Sequence, residues 1–228
     1  MIPSGYGTTY ASGAQNSVFF LAGNNLDESG AVPETAFDYW REAGYPGRPG
    51  APPVHVTLAD CASAARQKFG SMADEFLRLY PATTDDEAAL ASNDAIRDNS
   101  RVSTYLWGTR WTRSVREPVY TYFWTHRPPG PDHDIRGAYH GSEIAYVFDN
   151  PTPYWTDEDR AIGDTMSSYW ANYTTTGNPN GPGLPTWPAY DPKSPTVMEA
   201  GDHFGPIPVA SKAKTGFWRR FFLTQDAW

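Results

Sequence analysis

Two short apolar runs constrain the fold of this chain more than any other feature of its sequence. The first is "SVFFLAG" at residues 17–23, and the second is "VYTYFWTH" at residues 119–126. Runs of this length, rich in β-branched and aromatic residues, are typical of strands buried on both faces. Because helical segments separate the runs, we predict an α/β architecture in which the strands pair in parallel. Two or three strands are few for such a sheet and would leave its edges unpaired.

The segment between the two runs carries helix signals. One helical segment is predicted to begin near Thr57, to break at Gly70 and to stop at Pro81. A second begins at Thr84, and we predict that it continues to about residue 107. Its fourth residue, Glu87, gives it the spacing of a capping box. A Pro/Gly-rich passage, "GYPGRPGAPP", precedes both helices and is predicted to be irregular.

The C-terminal third continues the alternation. A third helix is predicted from Thr156 as its cap to about Gly177, with a stripe of apolar residues that faces a core. That stripe consists of Ile162, Met166, Tyr169, Trp170 and Tyr173. A short strand around "TVMEA" and an aromatic helix within "KTGFWRRFFLTQDAW" complete the chain. No repeat or long linker divides it, so we expect residues 1–228 to form a single unit.

Composition argues against several classes of partner. The chain has 228 residues, of which 39% are apolar and 15% aromatic, and it can therefore bury a sizeable core. Its 18 basic and 26 acidic residues give a formal net charge of −8, and no basic stripe is present, which argues against nucleic acid. No apolar stretch has the length of a membrane span, and the N-terminal residues lack the pattern of a signal peptide. We expect no membrane insertion.

Cysteine and metal chemistry find little support. The single cysteine, Cys61, lies in "LADCASAARQKF" and is interpreted as a small buried residue in a helix rather than a nucleophile. The tripeptide "DHD" at residues 132–134 fits a solvated turn better than a metal site. Three other histidines are isolated and receive no role: His55, His126 and His203.

Ionisable residues follow both predicted strands. Asp27 and Glu28 come directly after the first, in "LAGNNLDESGAVPE", and His140 follows the second, in "GAYHGSEIAYVF". Parallel strands end at one edge of a sheet, so these groups are expected to meet there. A carboxylate beside a histidine fixes the imidazole tautomer and stabilises the imidazolium, and such a histidine usually serves a serine. In α/β hydrolases the chain order is serine, acid, histidine, which would place the nucleophile upstream of Glu28.

Three sequence blocks resemble those of a known protein family. In chain order, "GNNLDESG", "GAYHGSEIAYVF" and "YWANYTTTGNPNGPGLPTWPAYDP" resemble the C-terminal portion of type-B carboxylesterases, which include cholinesterases and para-nitrobenzyl-type esterases. The resemblance spans essentially the whole chain. It implies the C-terminal part of an α/β-hydrolase fold, a mostly parallel sheet flanked by helices that is incomplete without an N-terminal portion.

The resemblance also implies roles for individual residues. Glu28 would be the acid of a catalytic triad, with the adjacent Asp27 as its rival or as a supporting residue, and His140 would be the general base. Glu143 matches a family glutamate behind the histidine and would support it. Tyr139 would line the acyl or alcohol pocket.

The sequence departs from the family at the nucleophile. Members carry a serine in a G-x-S-x-G turn, and no serine here has those flanking glycines, Ser4 and Ser142 being the nearest matches. The glycine-rich loop that forms the oxyanion hole is also absent. We therefore expect an N-terminal portion of the same esterase to be the partner that supplies the serine.

The favoured interpretation is a serine esterase that cleaves small-molecule carboxylic esters through an acyl-enzyme, with no metal or organic cofactor. On its own, this chain is expected to be inactive. The alternative is a truncated homologue that serves as a binding or adhesion module, against which the presence of both Glu28 and His140 argues. The compartment is left open by the sequence, and family habit favours secretion.

Overall fold

A computed structural model describes residues 6–28, 30–31, 57–131 and 133–225. Within them the strands form one four-stranded sheet in the order β1-β2-β3-β4. The strands are β1 at Phe20–Asn25, β2 at Val119–Trp124, β3 at Thr196–Ala200 and β4 at Gly205–Pro208. The first three run parallel, and β4 pairs antiparallel with β3. The predicted α/β class with parallel pairing is confirmed, and the sheet has one strand more than the upper estimate.

Helices cover both faces of this sheet. They are α1 at Tyr6–Ser12, α2 at Leu58–Phe69, α3 at Ala73–Leu79, α4 at Asp85–Trp111, α5 at His133–Arg136, α6 at Ile144–Val147, α7 at Asp157–Thr176 and α8 at Lys212–Leu223. One 3₁₀ turn, Gly70–Met72, joins α2 to α3. Among the described helices, none combines the length and apolarity that crossing a bilayer requires. The Pro/Gly-rich passage at residues 44–53 lies outside the described residues, as do Ser4, His55 and Asp132.

The prediction for the first strand was wrong in its bounds and its burial. The strand begins at Phe20 rather than at residue 17, and Val18 and Phe19 are 47% and 50% exposed. The start is set by the partner strand, because Phe20 is the first residue in register with β2, opposite Val119. Within the described sheet β1 pairs with β2 alone, and its residues are mostly half-buried. Strand β2, by contrast, is buried along most of its length, as expected.

Helix termini follow local capping signals more closely. Helix α2 ends at Gly70, whose φ of 54° is a conformation that favours glycine. The Thr84 hydroxyl accepts the backbone N–H of Glu87, so the cap is present. The Glu87 carboxylate instead accepts from the backbone N–H of Thr83 at 2.6 Å, so the predicted capping box is only half formed.

Helix α4 runs one turn further than predicted. It ends at Trp111 rather than near Trp107, because Trp111 is buried against Val115 and Val119 at the start of β2. Helix α7 matches its prediction at both ends: Thr156 forms a full capping box with Asp159, and Gly177 ends the helix in the left-handed conformation.

Alternating residues of the sheet divide the core into two halves. Phe123 and Val197 point to the cluster formed by α2, α3, α4 and α8. Met198 packs on the opposite face, in the cluster that contains Tyr169 of α7 and Trp187. Three tryptophans of this core are almost completely buried: Trp124, Trp187 and Trp218. Cys61 is only half-buried, contrary to expectation, because it lines an apolar cavity between α2 and α4, where its Sγ lies 3.2 Å from the Ser92 hydroxyl.

Candidate active site

The loops after β1 and β2 continue to pair beyond the sheet. The last pair of the register is Asn25 with Trp124, and the next N–H, that of Leu26, donates to the Trp124 carbonyl at 2.8 Å. Fourteen residues after the end of β2, the second loop again lies beside the first, and the N–H of Asp27 donates to the Ala138 carbonyl at 3.1 Å. Asp27 and Tyr139 form an isolated parallel bridge. The two segments that carry the predicted acid and the predicted histidine are therefore held side by side.

The buried side chain of Asp27 holds these two loops together. Its side chain is fully buried, its Oδ1 pairs with the Arg97 guanidinium at 2.6 Å, and its Oδ2 accepts the Ala138 N–H at 3.0 Å. Gly137 approaches so closely that a Cβ there would lie 2.1 Å from Asp27 Oδ2, and its φ of 62° favours glycine as well. Asp27 thus holds the histidine loop against the end of β1 and helix α4.

Of the two adjacent acids, Glu28 is the one that contacts His140. The Nδ1 atom of His140 lies 2.6 Å from Glu28 Oε2, while the other carboxylate oxygen, Oε1, accepts the backbone N–H of Asn25 at 2.8 Å. The His140 side chain is 76% exposed and that of Glu28 is 24% exposed. An Nδ1–H that donates to a carboxylate leaves Nε2 as a proton acceptor, and the carboxylate stabilises the imidazolium that forms on protonation.

Glu143 lies behind the histidine loop in a polar network that the sequence analysis did not foresee. The Asn25 amide nitrogen donates to the Tyr139 carbonyl at 2.7 Å and to Glu143 Oε2 at 2.6 Å. The Tyr122 hydroxyl donates to Glu143 Oε1 at 3.3 Å. Burial, reinforced by the negative charges of Glu143 and Glu28, raises the pKa of Tyr122, so its hydroxyl stays a neutral donor. A polar residue at the last position of a strand, as Asn25 is, was the one available signal for this network.

Tyr139 and Ser142 lie in the same loop as His140. The Tyr139 ring is half-buried beneath the Arg136 guanidinium, 3.6 Å from the ring centroid. Both Tyr139 and Ser142 line a cavity of about 370 Å³. Ser142 is 4% exposed, and its hydroxyl accepts the indole N–H of Trp124 at 2.9 Å, so it is engaged in packing the loop onto β2.

A second histidine at the same edge of the sheet has a different environment. His126, which received no role from the sequence, is 8% exposed and has Asp159 2.8 Å from Nε2 and Asp202 2.5 Å from Nδ1. Burial opposes ionisation of Asp159, but hydrogen bonds from Thr156, Tyr146 and His126 outweigh it and hold the pKa of this carboxyl at about 2. Because both ring nitrogens are occupied, His126 joins the start of α7 to the ends of β2 and β3 as a structural element.

Metal binding gains no support from the described residues. Within them, no group of three or more His, Cys, Asp and Glu side chains is arranged to hold an ion. Of the "DHD" tripeptide, His133 and Asp134 form an exposed pair 3.2 Å apart, and Asp132 lies outside the described residues.

Known proteins resemble this chain over much of its length. The sequence profile of the carboxylesterase family matches residues 57–218, a range that includes His140 but not Glu28. Carboxylesterase 4A of Bos taurus is 28% identical over 166 residues, which cover 69% of this chain and 29% of that protein. Liver carboxylesterase 1 of Oryctolagus cuniculus is 39% identical over 124 residues, 52% of this chain and 22% of that protein.

A third relative has a name that specifies a substrate class. The medium-chain fatty acyl-CoA hydrolase precursor of Anas platyrhynchos is 38% identical over 103 residues, 43% of this chain and 18% of that protein. The alignments with these three relatives therefore each cover less than a third of the relative's length.

Proposed function

Because this chain belongs to the carboxylesterase family, we propose that the complete protein hydrolyses carboxylic esters through an acyl-enzyme. His140 accepts the proton of a serine hydroxyl as the serine oxygen attacks the ester carbonyl, and then returns that proton to the departing alcohol. Glu28 holds the imidazole in the required tautomer. A water molecule, activated in the same way, releases the acid and restores the serine.

The observation that carries this proposal is the 2.6 Å contact between His140 Nδ1 and Glu28 Oε2. The contrast with His126 strengthens it. His126 is buried, with a carboxylate on each ring nitrogen, whereas His140 is 76% exposed and has a carboxylate on Nδ1 alone within the described residues. A general base needs one engaged nitrogen and one accessible nitrogen, and His140 has that arrangement.

In this proposal the serine and the oxyanion hole belong to an N-terminal portion of the same esterase. This portion is the partner of the chain, whose residues 1–228 act as one unit. Supporting this, no serine of the sequence lies in a G-x-S-x-G turn. We further propose that Glu143 supports the histidine loop, that Tyr139 lines the pocket for a small-molecule ester, and that the enzyme is secreted.

The test is His140→Ala in the complete esterase, with His203→Ala as the matched control on the exposed β3–β4 turn. Hydrolysis of a para-nitrophenyl ester should fall by at least about 10³-fold in the first variant and remain unchanged in the second. Near-normal turnover in His140→Ala would refute the role of His140. Absence of turnover in the unmodified protein would favour the binding-module alternative.

A further inference from the structure

Asn25 contacts both halves of the acid–histidine pair. It is the last residue of β1 and is 3% exposed. Its backbone N–H donates to Glu28 Oε1, and its side chain donates to the carbonyl of Tyr139, the residue directly before His140. We propose that Asn25 is a positioning residue, which holds Glu28 and the His140 loop in the register that their hydrogen bond requires. This inference rests on the proposed roles of His140 and Glu28.

The amide group suits this place better than other side chains of its size. An Asn nitrogen carries two protons, and here one is donated to the Tyr139 carbonyl and the other to Glu143 Oε2. An Asp at this position could donate neither bond. It would also add a third carboxylate beside Glu28 and Glu143, with Tyr122 as a neutral neighbour.

The two bonds from the side chain act on the two ends of the histidine turn. Tyr139 directly precedes His140, and Glu143 lies three residues after it, immediately before α6. The turn between them is closed by the Ser142 N–H, which donates to the Tyr139 carbonyl at 2.9 Å. Fixing both ends limits how far the imidazole can move relative to Glu28, whose carboxylate is fixed by the backbone of the same Asn25. A displacement of about 1 Å at such a site is enough to lower turnover about 10²-fold.

Asn24 provides a matched control on the same strand. Its side-chain oxygen accepts the Thr104 hydroxyl at 2.5 Å, on the opposite face of β1, where it contacts α4 and not the histidine loop. Asn24→Ala and Asn25→Ala each remove partly buried side-chain hydrogen bonds from β1. Of the two substitutions, only Asn25→Ala should disturb the contact between His140 and Glu28.

The experiment compares Asn25→Ala, Asn25→Ser and Asn24→Ala in the complete esterase by two measurements. Steady-state kinetics with a para-nitrophenyl ester separate kcat from KM. Nitrogen-15 NMR of the histidine rings reports the Nδ1-protonated tautomer of His140 and its hydrogen-bonded proton, with His140→Ala and Glu28→Gln as references. The second measurement requires no catalytic activity, so it tests Asn25 even if the proposed function fails.

We expect Asn25→Ala to lower kcat by about 10²-fold with little change in KM, and to remove or broaden the His140 Nδ1 proton signal. Asn25→Ser retains one donor and should recover part of both losses. If Asn25→Ala does not fold, the Ser variant still decides the question. Wild-type kcat and an intact Nδ1 signal in the Asn25 variants, or equal losses in Asn24→Ala, would overturn the proposal.

Discussion

At the residue scale, Asp27 and Glu28 show that two adjacent acids acquire different tasks from their surroundings. Asp27 is enclosed, paired with Arg97 and bonded to the Ala138 N–H. Glu28 is one residue further along and partly exposed, and it contacts His140. The position after a strand selected both acids without separating them, and only the family resemblance favoured Glu28 over Asp27.

Two residues that support the site, Asn25 and Arg97, were beyond sequence reasoning for a physical reason. Asn25 reaches Tyr139 across 114 positions of sequence, and Arg97 reaches Asp27 across 70. Such contacts arise only when the loops and α4 come together in the fold. Arg97 lies on a long polar helix, where a solvated arginine is the ordinary interpretation.

The two acids lead to opposite predictions for activity and stability. Glu28→Gln should lower kcat of the complete esterase by about 10³-fold or more and leave the free energy of unfolding nearly unchanged, because its side chain is partly solvated. Asp27→Ala should lower the free energy of unfolding by about 2 kcal/mol, because the Arg97 guanidinium and the Ala138 N–H both lose a partner. Assays of both variants by ester turnover and chemical denaturation check this. A stability loss in Glu28→Gln that exceeds that of Asp27→Ala would contradict it.

At the scale of elements, helix ends were easier to predict than strand bounds. Thr156 begins α7 through the hydrogen bonds of its side chain, and Gly70 and Gly177 end helices because glycine readily adopts a positive φ. Both are local properties of the sequence. The start of β1 is instead set by its register with β2, and the last turn of α4 is set by packing around Trp111. Strand β2 is distant from β1 in sequence, and Trp111 also packs against the distant Tyr10 and Phe20, so periodicity alone misplaced both boundaries.

The end of α7 makes a testable contact with the segment before β1. Gly177 and Gly183 have nearly equal φ values, 77° and 80°, but a Cβ at Gly177 would lie 2.6 Å from the Phe19 ring, whereas one at Gly183 would have open space. Both alanine variants should lose about 1 kcal/mol to backbone strain, and Gly177→Ala should lose more because Phe19 is displaced. Chemical denaturation measures the difference.

A Phe19→Ala background provides the control for this comparison. Without the ring, the costs of Gly177→Ala and Gly183→Ala should become equal. A difference that persists in that background would show that Phe19 is not its cause.

The start of α7 should respond to acid. The pKa of Asp159 is held at about 2, below its ordinary value of 3.8, so the ionised group stabilises the folded state fully above that ordinary value. This stabilisation is lost as the pH falls through about 2. The advantage of the wild-type protein over Asp159→Asn in free energy of unfolding should therefore shrink steadily as the pH falls below about 4. Denaturation curves across this range measure it, and an advantage that does not change with pH would contradict the assignment.

At the scale of the whole molecule, β1 pairs with β2 alone in the described sheet, and the exposed His140 pairs with Glu28 at the carboxyl edge of these two strands. The alignments with the relatives reported above each cover less than a third of the relative's length. The α/β class could be predicted because the apolar runs and the helical segments between them can be recognised in the sequence. The position of the His140–Glu28 pair could be predicted because each residue follows one of these runs. The surroundings of the pair depend on segments brought together by the fold, and the sequence alone did not show them.

In the proposed mechanism, His140 and Glu28 act on a serine outside this chain. Labelling of the complete esterase with a fluorophosphonate probe, followed by peptide mapping, identifies that serine, because phosphonylation of an activated serine oxygen releases fluoride and leaves a stable phosphonate ester. We expect an adduct on a serine in a G-x-S-x-G turn outside residues 1–228, and we expect His140→Ala to slow the labelling strongly. An adduct on a serine within residues 1–228, or undiminished labelling in His140→Ala, would contradict it.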